Sequence, residues 1–470
     1  MSQAADLKAV FNGDLVLPGD SDYTESIARW AKNAERKARY VTFPKDTEAV
    51  SAIVRWAVAN KVPLAVKGGG HSASGASSSE DGLVIDLSRY LNQVTVSEDK
   101  QVLYVGGGAL WKDVDQTGAD NGVATPGGTV NHTGVGGLIL GGGYGFLSGE
   151  HGLVVDNLVE TTVVLADGRI VTASETSEPE LFWALRGGGG NFGVVTQFVL
   201  KCYPQRPTVY AGLLIYSGDK LKEVVEVARR WHKTASPKEG ALLIATRGPG
   251  RQPVVIFNAF YNGTEAEGRE KYKEFIAVGP IADHTGEVPI TVINTFQNPV
   301  AVHGRYTYMT GTAQEEAKSE IAVAAFQKVI ETSEDGTFDS AFGLEFFPHG
   351  KISSVPLDAT AFPARKSQVG VLVMARWDAD GTEYADTAKK ITMVRDAYAI
   401  KGIFVEGEGS HANPADTERG YSNYASDETL PTSTTKKLFQ GNYPRLQKIK
   451  HQYDPSNVFN RWWGIEPVAA

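Results

Sequence analysis

The pattern of apolar and polar positions changes period along the chain. Within residues 40–65, Val50, Ile53, Val54, Ala57 and Val58 recur three and four apart behind Asp46 or Thr47, which predicts an amphipathic helix capped by one of the two. Tyr40-Val41-Thr42-Phe43-Pro44 precedes it, and Pro63-Leu64-Ala65-Val66 follows as a short strand that runs directly into Gly68-Gly69-Gly70. Strand-like runs at 83–87, 101–106, 159–165 and 193–200, with helices between some of them, predict an α+β unit ending near Pro204. From about residue 207 the character changes. Runs at 210–216, 242–246, 254–261, 343–347 and 369–377 alternate with amphipathic helices around 218–234, 265–277, 314–333 and 383–401. That order fits an antiparallel sheet backed by helices, and no internal repeat is visible.

Composition sharpens this picture at one point. The 51 glycines cluster in 68–75, 105–108, 127–145 and 187–193, all within the first 200 residues, so several loops are expected to converge on one ligand. A chain of 470 residues holds two or three domains, and a net charge of −9 argues against a nucleic-acid surface. The single cysteine, Cys202, excludes an intramolecular disulfide and a cysteine-rich metal site; within the strand-like run 198–203 it is expected to be buried and inert. No apolar run approaches the roughly 18 residues of a membrane span, and the start lacks the apolar core of a signal peptide. The chain as given therefore reads as soluble and cytoplasmic, or secreted if it is a trimmed mature form, and the sequons at Asn131 and Asn262 do not decide between these.

Gly188-Gly189-Gly190-Asn191-Phe192-Gly193 matches the spacing of a dinucleotide-binding turn, but the residues after it, 194–200, alternate like a strand. A pyrophosphate turn of that type must open a helix, so nicotinamide binding is rejected. His71 carries more information. Three glycines before it let the backbone press against a flat or anionic ligand, and the imidazole is then presented to that ligand's ring; a solvated loop histidine is the plain alternative.

The stretch Gly68-Gly69-Gly70-His71-Ser72-Ala73-Ser74-Gly75, set between a helix and the apolar segment 83–87, resembles the flavin attachment loop of the vanillyl-alcohol oxidase and p-cresol methylhydroxylase flavoproteins, most closely that of the berberine-bridge-enzyme-like oxidases. Leu181-Phe182-Trp183 through Gly193, with Val194 following, and the C-terminal stretches Asn442-Tyr443-Pro444-Arg445-Leu446 and 453–459 are similar to further elements of that family. The resemblance covers about residues 40–465 and is weakest in the middle. It implies an α+β chain with a two-part FAD-binding domain of the p-cresol methylhydroxylase type, residues 1–206 plus a returning segment 421–470, around a substrate domain at 207–420. It also implies FAD bonded through its 8α-methyl carbon to a ring nitrogen of His71.

The second glycine cluster, including Gly134, Gly136, Gly137, Gly141, Gly142 and Tyr144 and ending in Asp156 and Asn157, resembles the family segment that lies along the isoalloxazine and its phosphates. Family members with two covalent bonds carry a cysteine where this chain has Val130, so attachment is expected at His71 alone. The oxygen gatekeeper position is occupied by Thr133, close to valine in volume, which favours an oxidase over a dehydrogenase. His132 beside it either orients substrate or bonds a loop carbonyl.

Removal of hydride from a carbinol carbon needs a base for the hydroxyl proton. Tyr421-Ser422-Asn423-Tyr424 resembles the family's Tyr-x-Asn element, which makes Tyr421 the candidate base and Asn423 a cofactor contact together with Asn442. A tyrosine with an ordinary pKa near 10 needs help from a charge or hydrogen bond. The strand Gly343-Leu344-Glu345-Phe346-Phe347-Pro348 matches a family strand that offers a polar residue to the substrate where this chain has Phe347. Alternation puts Glu345 on the same face, either lowering the proton cost at Tyr421, or acting as base, or simply paired with Arg376. The apolar Phe347 favours an aromatic or partly apolar substrate.

Together these readings predict a flavin-dependent oxidase of a hydroxyl group on a sugar, aromatic alcohol or secondary metabolite, with molecular oxygen as acceptor, hydrogen peroxide as product, and no metal, nucleic-acid or membrane partner. The alternatives are a biosynthetic enzyme of oxidative cyclisation and a non-redox covalent flavoprotein scaffold.

Overall fold

The computed structural model describes residues 3–378, 383–407, 421–424 and 432–468. Asp46 is the cap of the first long helix, Thr47–Ala59: its side chain accepts the Ala49 amide at 2.7 Å, and Val50, Ile53, Val54 and Ala57 turn inward beneath it. They pack on a four-stranded sheet in which Tyr40–Pro44 and Leu64–Lys67 run parallel to Leu83–Asp86, with Gly13–Val16 antiparallel on the outer edge. The strand Leu64–Lys67 ends where Lys67 Nζ meets the buried Asp86 carboxylate at 2.8 Å, which fixes the direction in which the glycine loop leaves the sheet.

A second, wholly antiparallel sheet has the order Val94–Val96, Val102–Gly106, Val194–Lys201, Leu158–Val164, Ile170–Ser174. Val194–Lys201 is its central strand, which accounts for the absence of a helix after Gly193. The core beside this sheet buries Phe182, Phe192 and Phe198 fully, each contributing roughly 1.5–3 kcal/mol. Cys202 lies in the same core, where burial pushes its thiol above the ordinary range.

The third sheet is the largest, eight antiparallel strands: seven follow the path Ala282–Asp283, Thr208–Ser217, Pro253–Tyr261, Glu239–Arg247, Asp339–Phe346, Val369–Trp377, Tyr306–Gln314, and Gly286–Pro289 also pairs with Thr208–Ser217. One face of it is covered by Leu221–His232, Ser319–Thr332 and Glu383–Glu406, whose apolar sides join Leu243, Val255, Phe342 and Val373 in one core. The other face is left for the site. The strand Tyr306–Gln314 is absent from the sequence reading, which assigns no element between the helix ending near 277 and the helix beginning near 314. Its sequence, with three threonines and two tyrosines, has strand propensity without a strong apolar alternation. The helix predicted over 265–277 is two short helices meeting at Tyr272, whose ring fills the core while its hydroxyl donates to Phe260 O at 2.7 Å.

The C-terminal helix Tyr443–Tyr453 packs Tyr443, Leu446, Ile449 and Tyr453 into the core of the second sheet, beside Pro179–Leu185. A fully buried ion pair anchors it: Lys450 Nζ donates to Asp454 at 2.6 Å, to Asn191 O at 2.7 Å and to Phe459 O at 2.6 Å, while Asp454 accepts the Val458 and Phe459 amides. Removing one partner strands a buried charge. Asp454→Ala is expected to lower stability by about 3–5 kcal/mol, read as a shift of the denaturant midpoint with unchanged slope.

Candidate functional site

Two loops meet first. A Cβ on Gly69 would lie 2.5 Å from Gly134 N, and one on Gly134 would lie 2.3 Å from Gly69 N, so the two backbones touch with no room for any side chain between them. This contact joins the loop after Leu64–Lys67 to the loop before Val135–Leu140 and makes one wall of a cavity of about 360 Å³. Gly68, Gly69, Gly70, His71, Ser72, Val130, Thr133, Gly134, Gly136, Gly137, Tyr144, Gly193 and Asn423 all line it, as do Leu242, Ile244, Leu372 and Met374 of the large sheet.

The His71 imidazole is stacked on Trp30, with ring centres 4.3 Å apart and planes 10° from parallel, and lies 5.1 Å from the His132 ring. Burial, helped by His132 and His303, pushes its pKa down to about 3, so the ring is neutral at physiological pH. Its Nε2 is buried and has no hydrogen-bond partner among the described residues. The ring is thus held in one orientation and uncharged at the end of the glycine cradle, with one nitrogen unengaged by the described residues. His132 is likewise pushed down to about 4, first by burial, but it stands behind His71 and does not line the cavity.

At the other end, Glu345 projects from Asp339–Phe346 opposite Leu242 and Gly370. A Cβ at Gly370 would sit 2.5 Å from the Glu345 carboxylate, so a larger residue there would displace that side chain. Tyr144 donates its hydroxyl to Glu345 Oε2 at 2.6 Å and Tyr424 donates to Oε1 at 2.5 Å. Burial raises the Glu345 carboxyl above its usual range against the pull of those two phenols. Tyr421 stands between them in ring contact, 4.6 Å from Tyr144 and 5.0 Å from Tyr424. Its oxygen accepts the Gly143 amide at 3.1 Å and the Asn423 side-chain amide at 2.7 Å. Burial pushes this phenol above its ordinary range; the two N–H donors oppose that shift.

Several expectations need correction. Glu345 does not pair with Arg376, and it does not lower the proton cost at Tyr421: its oxygens are taken by Tyr144 and Tyr424, and its charge raises the Tyr421 pKa. Phe347 does not face the cavity. Tyr144, Phe146 and Leu147 cover the sheet there, leaving it 2% exposed beside a smaller void. Asp156 is held by Arg365 at 2.7 and 3.0 Å, Asn157 by His151 O, Leu153 O and the Tyr203 hydroxyl, and Asn442 by Leu357 O, Thr360 O and Ala361 O; none of the three lines the cavity. Gly75, Gly141, Gly142 and Val194 also lie outside its wall, Gly141 pressed on the Asn423 amide and Gly142 on the Phe362 ring. Trp30 and Tyr424 line the cavity without a role read for them in sequence, Tyr424 alone having a signal as a second phenol in the Tyr421 element; Arg376, read in sequence only as a candidate partner of Glu345, also lines it.

Among the described residues no cluster of metal-ligating side chains occurs, and no helix is long and apolar enough to cross a membrane.

Residues 38–174 match the family model described as an FAD binding domain, and residues 420–466 match the one described as berberine and berberine like. The chain is 31% identical over 478 residues to the FAD-linked oxidoreductase pgmH of Aspergillus terreus, covering 98% of this chain and 95% of that one. Among solved structures it is similar to 6-hydroxy-D-nicotine oxidase from Arthrobacter nicotinovorans, with a TM-score of 0.85 and 22% identity over 97% of this chain and 98% of that one. Berberine bridge enzyme from Eschscholzia californica gives a TM-score of 0.84 and 20% identity over the whole of both chains.

Proposed function

This chain belongs to the berberine-bridge-enzyme-like FAD-linked oxidoreductases, and from that membership we propose that it oxidises a hydroxyl-bearing carbon of a small molecule, with Tyr421 taking the hydroxyl proton and oxygen reduced to hydrogen peroxide. The observation that carries the proposal is the Tyr421 oxygen at the cavity wall, receiving two N–H donors that stabilise its anion.

Gly68, Gly69, Gly134 and Gly136 would hold the flat face of FAD, and the neutral His71 would bond its 8α carbon, with no second bond because Val130 offers no thiol. FAD, when bound, supplies the acceptor for the hydride and passes the electrons to oxygen. The chain supplies the rest. Trp30 keeps the His71 ring in one orientation. Asn423 and Gly143 orient the Tyr421 oxygen and lessen the cost of its charge. Glu345 with Tyr144 and Tyr424 closes the polar end, where two phenols share one carboxylate and exclude bulk water. Thr133 lines the cavity with a side chain small enough to leave oxygen a path. The apolar run Leu242, Ile244, Leu372 and Met374 favours an aromatic or polyketide-like alcohol over an oligosaccharide.

The base assignment has a pH signature. Tyr421 accepts a proton only when deprotonated, and burial holds its pKa up, so the rate of flavin reduction is expected to rise up to tenfold per pH unit through the neutral and alkaline range, with no plateau below about pH 10. Anaerobic single-turnover measurements across pH test this. A plateau already reached at neutral pH would transfer the role to Glu345.

A further inference from the structure

The large sheet offers the cavity two ends of different chemistry. Along Val369–Trp377 the side chains alternate: Val371, Val373, Ala375 and Trp377 enter the core under the helices, while Leu372, Met374 and Arg376 line the cavity. Arg376 stands six residues beyond Gly370, the cross-strand partner of Glu345, and so about 20 Å along the strand from the carboxylate and phenol end.

This arginine is 8% exposed, and neither its Nε nor its Nη1 has a hydrogen-bond partner among the described residues. The acid opposite it across the strand pair, Asp339, is engaged elsewhere, accepting from Arg305 at 2.7 Å and lying 3.8 Å from Arg251. Asp378 also pairs with Arg305, at 2.9 Å. Arg305 therefore holds both carboxylates that approach this end. Burial, with the like charge of Arg305, pulls the Arg376 guanidinium down to about 10, which still leaves it charged at neutral pH. A buried, unpaired guanidinium costs stability, and a chain that keeps one on the wall of a ligand cavity has a use for it there.

Resting on the reading of this cavity as the substrate site, we infer that Arg376 binds a carboxylate on an elongated substrate, whose apolar body lies along Ile244, Leu372 and Met374 and whose hydroxyl meets Tyr421. The planar set of guanidinium donors suits a carboxylate, and the distance between the two ends sets a minimum length. Neutral sugars and short aromatic alcohols would leave the arginine unpaired.

The test uses the holoprotein under anaerobic conditions, titrated calorimetrically with ω-[4-(hydroxymethyl)phenyl]alkanoates of increasing chain length and with their primary amides. Wild type is expected to bind the longer carboxylates about 10- to 100-fold more tightly than the matching amides. Arg376→Met should abolish that preference while leaving amide affinity within about twofold, and Arg376→Lys should keep part of it. Arg376→Gln gives the same comparison if the methionine variant is unstable. Equal affinity for acid and amide in wild type, a preference that survives Arg376→Met and Arg376→Gln, or no binding by any member of the series would overturn the inference. Because binding is read without turnover, the two readings fail separately. Carboxylates bound through Arg376 without bleaching of the flavin would refute the oxidase reading alone; bleaching with no acid preference would refute this one alone.

Discussion

Tyr421→Phe is expected to lower the rate of flavin reduction by about 10²–10⁴-fold while substrate affinity changes little. The ring itself is retained, and with it the contacts to Tyr144 and Tyr424 that shape the polar end of the cavity. What is lost is one oxygen, the one at the cavity wall that accepts the N–H donors of Gly143 and Asn423. Stopped-flow reduction under anaerobic conditions, with binding measured separately, checks the split. A fall in affinity with an unchanged reduction rate would make Tyr421 a binding residue and leave the proton to Glu345.

His71→Ala is expected to abolish covalent flavin altogether. After acid precipitation the yellow colour should stay with the pellet of wild type and move wholly to the supernatant of the variant. Partial retention is not expected, because Val130 has no nucleophile and the single cysteine, Cys202, is buried with its thiol directed at Lys100 O. Flavin still bound to the His71→Ala pellet would reveal a second attachment point. The low pKa of His71 adds a condition: the ring is neutral throughout the physiological range, so attachment should not fall off between pH 8 and pH 5, read from the same pellet assay.

Local signals carried much of this in advance. The helix cap at Asp46 or Thr47, the strand into Gly68–Gly70 and the rejection of a helix after Gly193 all rest on neighbours in sequence, and the fold contains each, with Asp46 as the cap. The strand Tyr306–Gln314 escaped because its two faces are of similar polarity, with Thr310, Thr312 and Gln314 among the buried residues on one of them. The site was less legible. Glu345 meets Tyr144 across 201 positions and Tyr424 across 79, so the carboxylate and phenol cluster exists only after the sheet and the returning segment have packed. Asp156, Asn157 and Asn442 look like polar ligand contacts in sequence, yet Arg365, Tyr203 and nearby carbonyl groups consume their hydrogen-bonding capacity in the fold. Arg376 was legible only as a charge near the end of an apolar strand and a candidate partner for Glu345; its place on the cavity wall comes from Arg305 having taken the neighbouring acids. Polar residues in a pattern show that a partner exists, and only packing shows which one.

The central claim, that hydroxyl-bearing small molecules reduce a flavin held at His71 and oxygen restores it, is tested most directly by mixing the yellow holoprotein anaerobically with aromatic and polyketide-like alcohols, carboxylated and neutral, while following the flavin absorption band, and then admitting air. Bleaching by at least one alcohol, followed by recovery in air with one hydrogen peroxide per flavin, is the expected result. A flavin that dithionite bleaches and air restores but that no alcohol reduces, or one that stays bleached in air, would contradict it.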